Sequence, residues 1–154
     1  RKLILEIVDE IDLDIKEQRK FHEKIFILRP QNRVRSVTNM DQIIKIAQNY
    51  NYQPIMLENI SVKEQLNLFA KAKKVTGLHG AGLVNSYAMQ PNTSLIEFCS
   101  NSLNTSYLDI CNSSQIHYGY VLTPDHLNNK ERWRPVYETY ELCPLLAEYV
   151  LEFL

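Results

Sequence analysis

Five short apolar runs, separated by helical patterns, limit most strongly what this chain can fold into. The runs are Lys24–Leu28, Gln53–Leu57, Lys74–Leu78, Ser94–Phe98 and His117–Leu122. Each is short, and most are rich in branched or aromatic residues, so they read as buried strands. Ile43, Ile44, Ile46 and Ala47 form a helical stripe after Asp41. Ser61-Val62-Lys63-Glu64 has the hydroxyl-then-Glu spacing of a capping box and opens a helix through Ala72, with Leu66, Phe69 and Ala70 inward. A further helix is expected over Leu103–Cys111. This alternation predicts an α/β fold, a three-layer Rossmann-like parallel sheet of about five strands.

The expected organisation is a single domain over residues 1–154. Residues 1–22 form a leading helix with Leu3, Ile4, Ile7, Val8 and Ile11 in a stripe. Residues 23–123 form the α/β core, and residues 124–154 a loop followed by a helix from Glu141 with Pro144 in its first turn. That last helix carries Leu145, Leu146, Tyr149, Val150 and Phe153, which either cover the sheet or pack on a second domain. The chain starts at Arg1, which suggests a piece of a larger protein.

With 17 basic and 18 acidic residues, the net charge of -1 makes no electrostatic case for nucleic acid or a membrane surface. No apolar run reaches the roughly 18 residues of a membrane span. Cys99, Cys111 and Cys143 have no metal-like spacing and read as reduced thiols. Asn-X-Ser/Thr sites begin at Asn59, Asn92, Asn104 and Asn112. They keep a secretory-pathway lumen open for a eukaryotic protein; a bacterial one is expected in the cytoplasm.

The chemistry concentrates where the third strand ends. His79-Gly80-Ala81-Gly82-Leu83 follows Val75-Thr76-Gly77-Leu78 and opens a helical segment over Leu83–Met89. A strand that breaks into small residues and then a helix offers an anion unpaired N–H groups and a partial positive charge. Its natural ligand is a diphosphate. Arg29 follows the first strand, and its planar fork suits a phosphate. For both to meet one ligand, strands one and three must be neighbours, which favours the order 2-1-3-4-5. Arg33 and Arg35 read more simply as loop charges. Glu97, a carboxylate in an apolar strand, needs a partner, either a ligand hydroxyl or a structural cation.

Taken in order, Lys24–Arg29, Lys63-Glu64-Gln65, Phe69–Ala72, His79-Gly80-Ala81-Gly82-Leu83-Val84-Asn85, Met89 with Pro91, and Leu95-Ile96-Glu97 resemble glycosyltransferase family 61 over roughly residues 24–122. That family includes capsular-polysaccharide, xylosyl and N-acetylglucosaminyl transferases. The resemblance implies the carboxyl-terminal, donor-binding half of a two-domain enzyme of the B architecture. It implies inverting transfer from a uridine diphosphate sugar to a glycan, with no cofactor and no essential metal. Gly80, Ala81, Gly82, Leu83 and Asn85 would then serve the diphosphate together with Arg29. Glu97 would hold the ribose, and His79 is the candidate catalytic residue. The acceptor site and the base would lie in an amino-terminal half. The chain departs from the family at Leu28 (usually Ser), Val84 (usually Thr), and Gln90 and Thr93 (usually Pro and Gly).

Two other functions compete. A dinucleotide-dependent oxidoreductase would carry its glycines after strand one, with an acidic residue about 20 positions on; here Arg29-Pro30 stands there instead. A non-catalytic scaffold is the alternative to catalysis, although it gives no reason for the His79–Gly82 turn.

Overall fold

The computed structural model describes residue 6 and residues 22–31, 36–99, 105–122 and 140–153. The leading helix, Arg33, Arg35 and the loop over 124–135 lie outside the described residues. Strands β1 (Lys24–Ile27), β2 (Gln53–Ile55), β3 (Lys74–Leu78), β4 (Ser94–Cys99) and β5 (His117–Leu122) form one sheet, all parallel. Their order is β2-β1-β3-β4-β5, as the sequence led us to expect. Four helices accompany them: α1 (Met40–Asn49), α2 (Val62–Lys71), α3 (Ser106–Ser114) and α4 (Pro144–Phe153).

Alternation along each strand sorts the core into two layers. Ile25, Val75 and Leu95 face one side, with Phe69 of α2 and Ile110 of α3. Phe26, Ile96 and Phe98 face the other, with Ile43 of α1 and Val150 of α4. The capping box forms: the Ser61 hydroxyl accepts from Glu64 N–H, while the Glu64 side chain accepts from Ser61 N–H. Asn39 joins the second layer by pairing both ways with Leu142, its amide donating to the carbonyl at 2.8 Å and its oxygen accepting the N–H at 3.0 Å. Such a side chain reproduces a strand-like pairing between α1 and the approach to α4.

Two expectations change, and one open alternative closes. β2 ends at Ile55, and Leu57–Asn59 coils into a short 3₁₀ turn. Helix α3 runs three residues later than the pattern suggested, to Ser114, closed by Gln115 in the left-handed region at φ 57. Helix α4 covers the sheet through Ala147, Val150 and Leu151. Its outer stripe is Leu145, Tyr149 and Phe153, at 77%, 58% and 64% exposure among the described residues. Among those residues no helix is long and apolar enough to cross a membrane.

Candidate functional site

The sheet order reverses between β1 and β3, and the carboxyl ends of these two strands form the site, as is general for open parallel sheets. Their register pairs Ile27 with Gly77. A Cβ on Gly77 would lie 2.9 Å from the Ile27 Cβ and 3.0 Å from its carbonyl oxygen, so the missing side chain lets the two strands close up. Arg29 and His79–Gly80 therefore emerge side by side.

Arg29 crosses to the turn, and its Nη1 donates to the His79 carbonyl at 2.7 Å. A Cβ on Gly80 would stand 2.9 Å from that same nitrogen. Gly80 is extended, with φ 174, so its backbone could be adopted by any residue. The glycine is needed for space beneath the guanidinium. From the other side, the Tyr107 hydroxyl of α3 donates to the Gly80 carbonyl at 2.6 Å.

The segment after the turn differs from the expected helix. Ala81–Ala88 is a 3₁₀ coil, in which Leu83 N–H already bonds to the Gly80 carbonyl at 3.0 Å. The N–H groups of Ala81 and Gly82 make no backbone hydrogen bond among the described residues. These two amides are therefore unspent on backbone carbonyls. Leu83 is a core side chain with its N–H spent, and Asn85 serves the scaffold. The Asn85 amide donates to Gln65 Oε1 at 2.8 Å, and Gln65 Nε2 donates to the carbonyls of Leu57 at 2.9 Å and Ile60 at 3.2 Å. Gln65 was not singled out for this role in the sequence. It ties α2, the turn after β2 and the 3₁₀ coil together.

In front of these groups lies a cleft of about 130 Å³, lined by Arg29, Pro30, Leu57, Glu58 and Gly80–Leu83 among others. Glu58, exposed just after β2, is a carboxylate that sequence reasoning passed over. Its only signal was position, an acidic residue following the second strand of a nucleotide-type sheet.

Glu97, expected at a ribose, is not among the residues that line this cleft. It is fully buried, its Oε1 lies 2.9 Å from His79 Nδ1, and the Cys99 thiol donates to the same oxygen at 2.8 Å. Register explains the meeting: Gly77 pairs with Glu97, and His79, two residues on, shares its face. The His79 ring also packs edge-on against Tyr107, with centroids 5.7 Å apart. Burial, then the hydrogen bond and charge of Glu97, push the Cys99 thiol well above its usual range. Burial and the same charge push Cys111 up to about 12.

His79, Glu97 and Cys99 bring a nitrogen, an oxygen and a sulfur within 4.8 Å of one another, the one grouping of that kind found among the described residues. The three are also joined to one another by hydrogen bonds.

Compared with models of known families, residues 4–96 match the family described as Glycosyltransferase 61. The match takes in Arg29 and the whole His79–Asn85 turn and ends one residue short of Glu97. No curated protein matches the chain.

Proposed function

The chain belongs to the glycosyltransferase 61 family, and on that premise we propose that it binds the diphosphate of a uridine diphosphate sugar between Arg29 and the Gly80–Gly82 turn. The observation that carries this reading is the Arg29 guanidinium seated over Gly80, 2.7 Å from the His79 carbonyl, at the mouth of an open cleft. A guanidinium beside two unspent amides suits a pyrophosphate better than a nicotinamide or an apolar ligand. The ribose hydroxyls then fall to Glu58, which lines the cleft, and Glu97 is left to His79.

In the reaction we assign, an acceptor hydroxyl oxygen attacks the anomeric carbon on the face opposite the diphosphate. The bond from that carbon to the diphosphate oxygen breaks, and the leaving group keeps the electron pair. Arg29, the Ala81 and Gly82 amides and His79 stabilise the charge that develops, the task an essential metal would otherwise perform. The hydroxyl proton passes to a base on another domain, which also binds the glycan acceptor. In this assignment the chain is the donor half of a B-type transferase, and by itself it binds nucleotide without turnover.

Thermal unfolding with nucleotides tests the reading, because selective binding raises apparent stability. UDP is expected to raise Tm where NAD does not. Replacing Arg29 with Ala removes a charge-assisted contact worth about 1.5–3 kcal/mol, roughly a 10- to 100-fold loss of UDP affinity. Equal stabilisation by NAD, or unchanged UDP affinity in R29A, sinks the donor assignment. Sugar transfer by the isolated chain would overturn the division of labour between halves.

A further inference from the structure

We propose that Gln65 fixes the spacing between the two walls of the cleft, and so sets how strongly the site holds the nucleoside half of its ligand; this rests on the nucleotide reading above. Gln65 is not itself among the residues that line the cleft. One wall is the 3₁₀ turn Leu57–Asn59, which brings Leu57 and Glu58. The other is the start of the Ala81–Ala88 coil, which brings Ala81, Gly82 and Leu83. The walls meet closely: a Cβ on Gly82 would lie 2.6 Å from Leu57 Cδ1. Apolar contact of this kind has no preferred direction. Gln65 gives it one. Its Nε2 donates to the carbonyls of Leu57 at 2.9 Å and Ile60 at 3.2 Å, and its Oε1 accepts from the Asn85 amide at 2.8 Å. The walls are thus packed together at Leu57 and Gly82 and tied through one side chain behind them.

The position calls for an amide. Two carbonyls accept on one side and the Asn85 NH₂ donates on the other, so the group between them must donate and accept at once. Glu would set an acceptor against two carbonyls, Lys has nothing to accept with, and Asn is one methylene shorter. Gln65 is itself anchored, its N–H bonding to the Ser61 carbonyl at 2.9 Å in the turn that the capping box closes.

The two walls depend on this tie unequally. The Gly80–Gly82 turn has supports of its own, Leu83 N–H and the Tyr107 hydroxyl on the Gly80 carbonyl and Arg29 on the His79 carbonyl. Residues Leu57–Ile60 have two short turn bonds, Asn59 N–H to Met56 and Ile60 N–H to Leu57, both at 3.2 Å. Among the described residues, the other hydrogen bonds that reach them come from Gln65. Loss of the amide therefore frees the wall that carries Glu58 and leaves the diphosphate turn standing. Gln65 is a positioning residue that acts through Leu57 and Glu58.

Calorimetric titration of Gln65→Met, which keeps the side chain's length and removes its amide, tests this with UDP and pyrophosphate. UDP is expected to bind about two- to fivefold more weakly than to wild type, the scale of one lost hydrogen bond. Pyrophosphate is expected to bind as tightly as before. Q65E still accepts from Asn85 but cannot donate to the carbonyls, and it should lose UDP as Q65M does. In an E58A background Q65M should cost UDP little more, because residues that act through one contact are not additive. Spectra of the wild-type protein need no variant to fold: the Gln65 side-chain amide protons should shift when UDP binds and stay in place with pyrophosphate. Unchanged UDP affinity in Q65M, equal weakening of both ligands, full additivity with E58A, or a Gln65 amide indifferent to UDP overturns the proposal and leaves the donor site standing. A wild-type protein that binds neither ligand removes the donor site, and this role falls with it.

Discussion

The two faces of β4 make opposite demands on successive residues. Ile96 and Phe98 turn into the layer of Phe26, Ile43 and Val150, where shape and apolar area decide the outcome. Glu97 and Cys99 turn the other way and meet His79, so that face buries a carboxylate that must be hydrogen-bonded. The same strand therefore packs by shape at Ile96 and Phe98 on one side, and on the other passes from apolar packing at Leu95 to polar contacts at Glu97 and Cys99. The polar face lies where the strand order reverses, beside the 3₁₀ coil, and the apolar face lies under α1 and α4. Stability and ligand binding should separate along this divide.

The largest test of that separation is Phe98→Ala. Phe98 is almost wholly buried, and truncating a phenyl ring in a core costs about 3–5 kcal/mol. Urea unfolding should show that loss, while the protein that remains folded binds UDP with near wild-type affinity. A drop in affinity comparable to the drop in stability would mean that the two faces are coupled through the sheet. The comparison would then fail.

Gly80→Ala probes the polar side with a smaller effect. Its Cβ would displace the Arg29 Nη1 from 2.9 Å, and the displaced group is the far end of a long side chain, so the fold should tolerate it. We expect roughly a tenfold loss of UDP affinity, about 1.4 kcal/mol, with Tm little changed. Gly77, by contrast, would push its Cβ into the Ile27 Cβ and carbonyl. The two glycines, three residues apart, thus make room for the Arg29 guanidinium and for strand packing respectively. Titration of G80A beside its melting curve checks this, and a large fall in Tm with affinity intact would reverse the two roles.

How much of this was legible in the sequence follows from the range of the interactions. Strands β3 and β5 fell where their apolar runs fell, and the Ser61–Glu64 box closed as its spacing said, because both are set by near neighbours. The strand order followed from asking Arg29 and the glycine turn to share one ligand. What could not be read is the pairing across strands. Glu97 needs a partner by its burial alone, but that His79 supplies it depends on the β3–β4 register. The 3₁₀ winding of Ala81–Ala88 was equally hidden, since small residues and one buried Leu suit either helix. Gln65 looked like an ordinary polar helix residue until three elements closed around it.

The smallest expected effect concerns Glu58, and it sharpens the comparison most because it separates two carboxylates. Glu97 is sealed in the layer beneath the turn, and Glu58 is exposed at the cleft. An exposed carboxylate near a diphosphate repels it, so Glu58 earns its place only if it accepts hydrogen bonds from the ribose. A single such bond contributes about 0.5–1.5 kcal/mol, and the repulsion offsets part of it. Glu58→Ala should therefore weaken UDP binding by roughly two- to fivefold, in line with a net loss of about 0.4–1 kcal/mol. It should not weaken pyrophosphate binding, which has no ribose to lose and gains from removal of the charge. Calorimetric titration of both ligands against wild type and E58A distinguishes the cases. Equal weakening of the two ligands would show that Glu58 shapes the cleft rather than reads the sugar, and the ribose would need another partner.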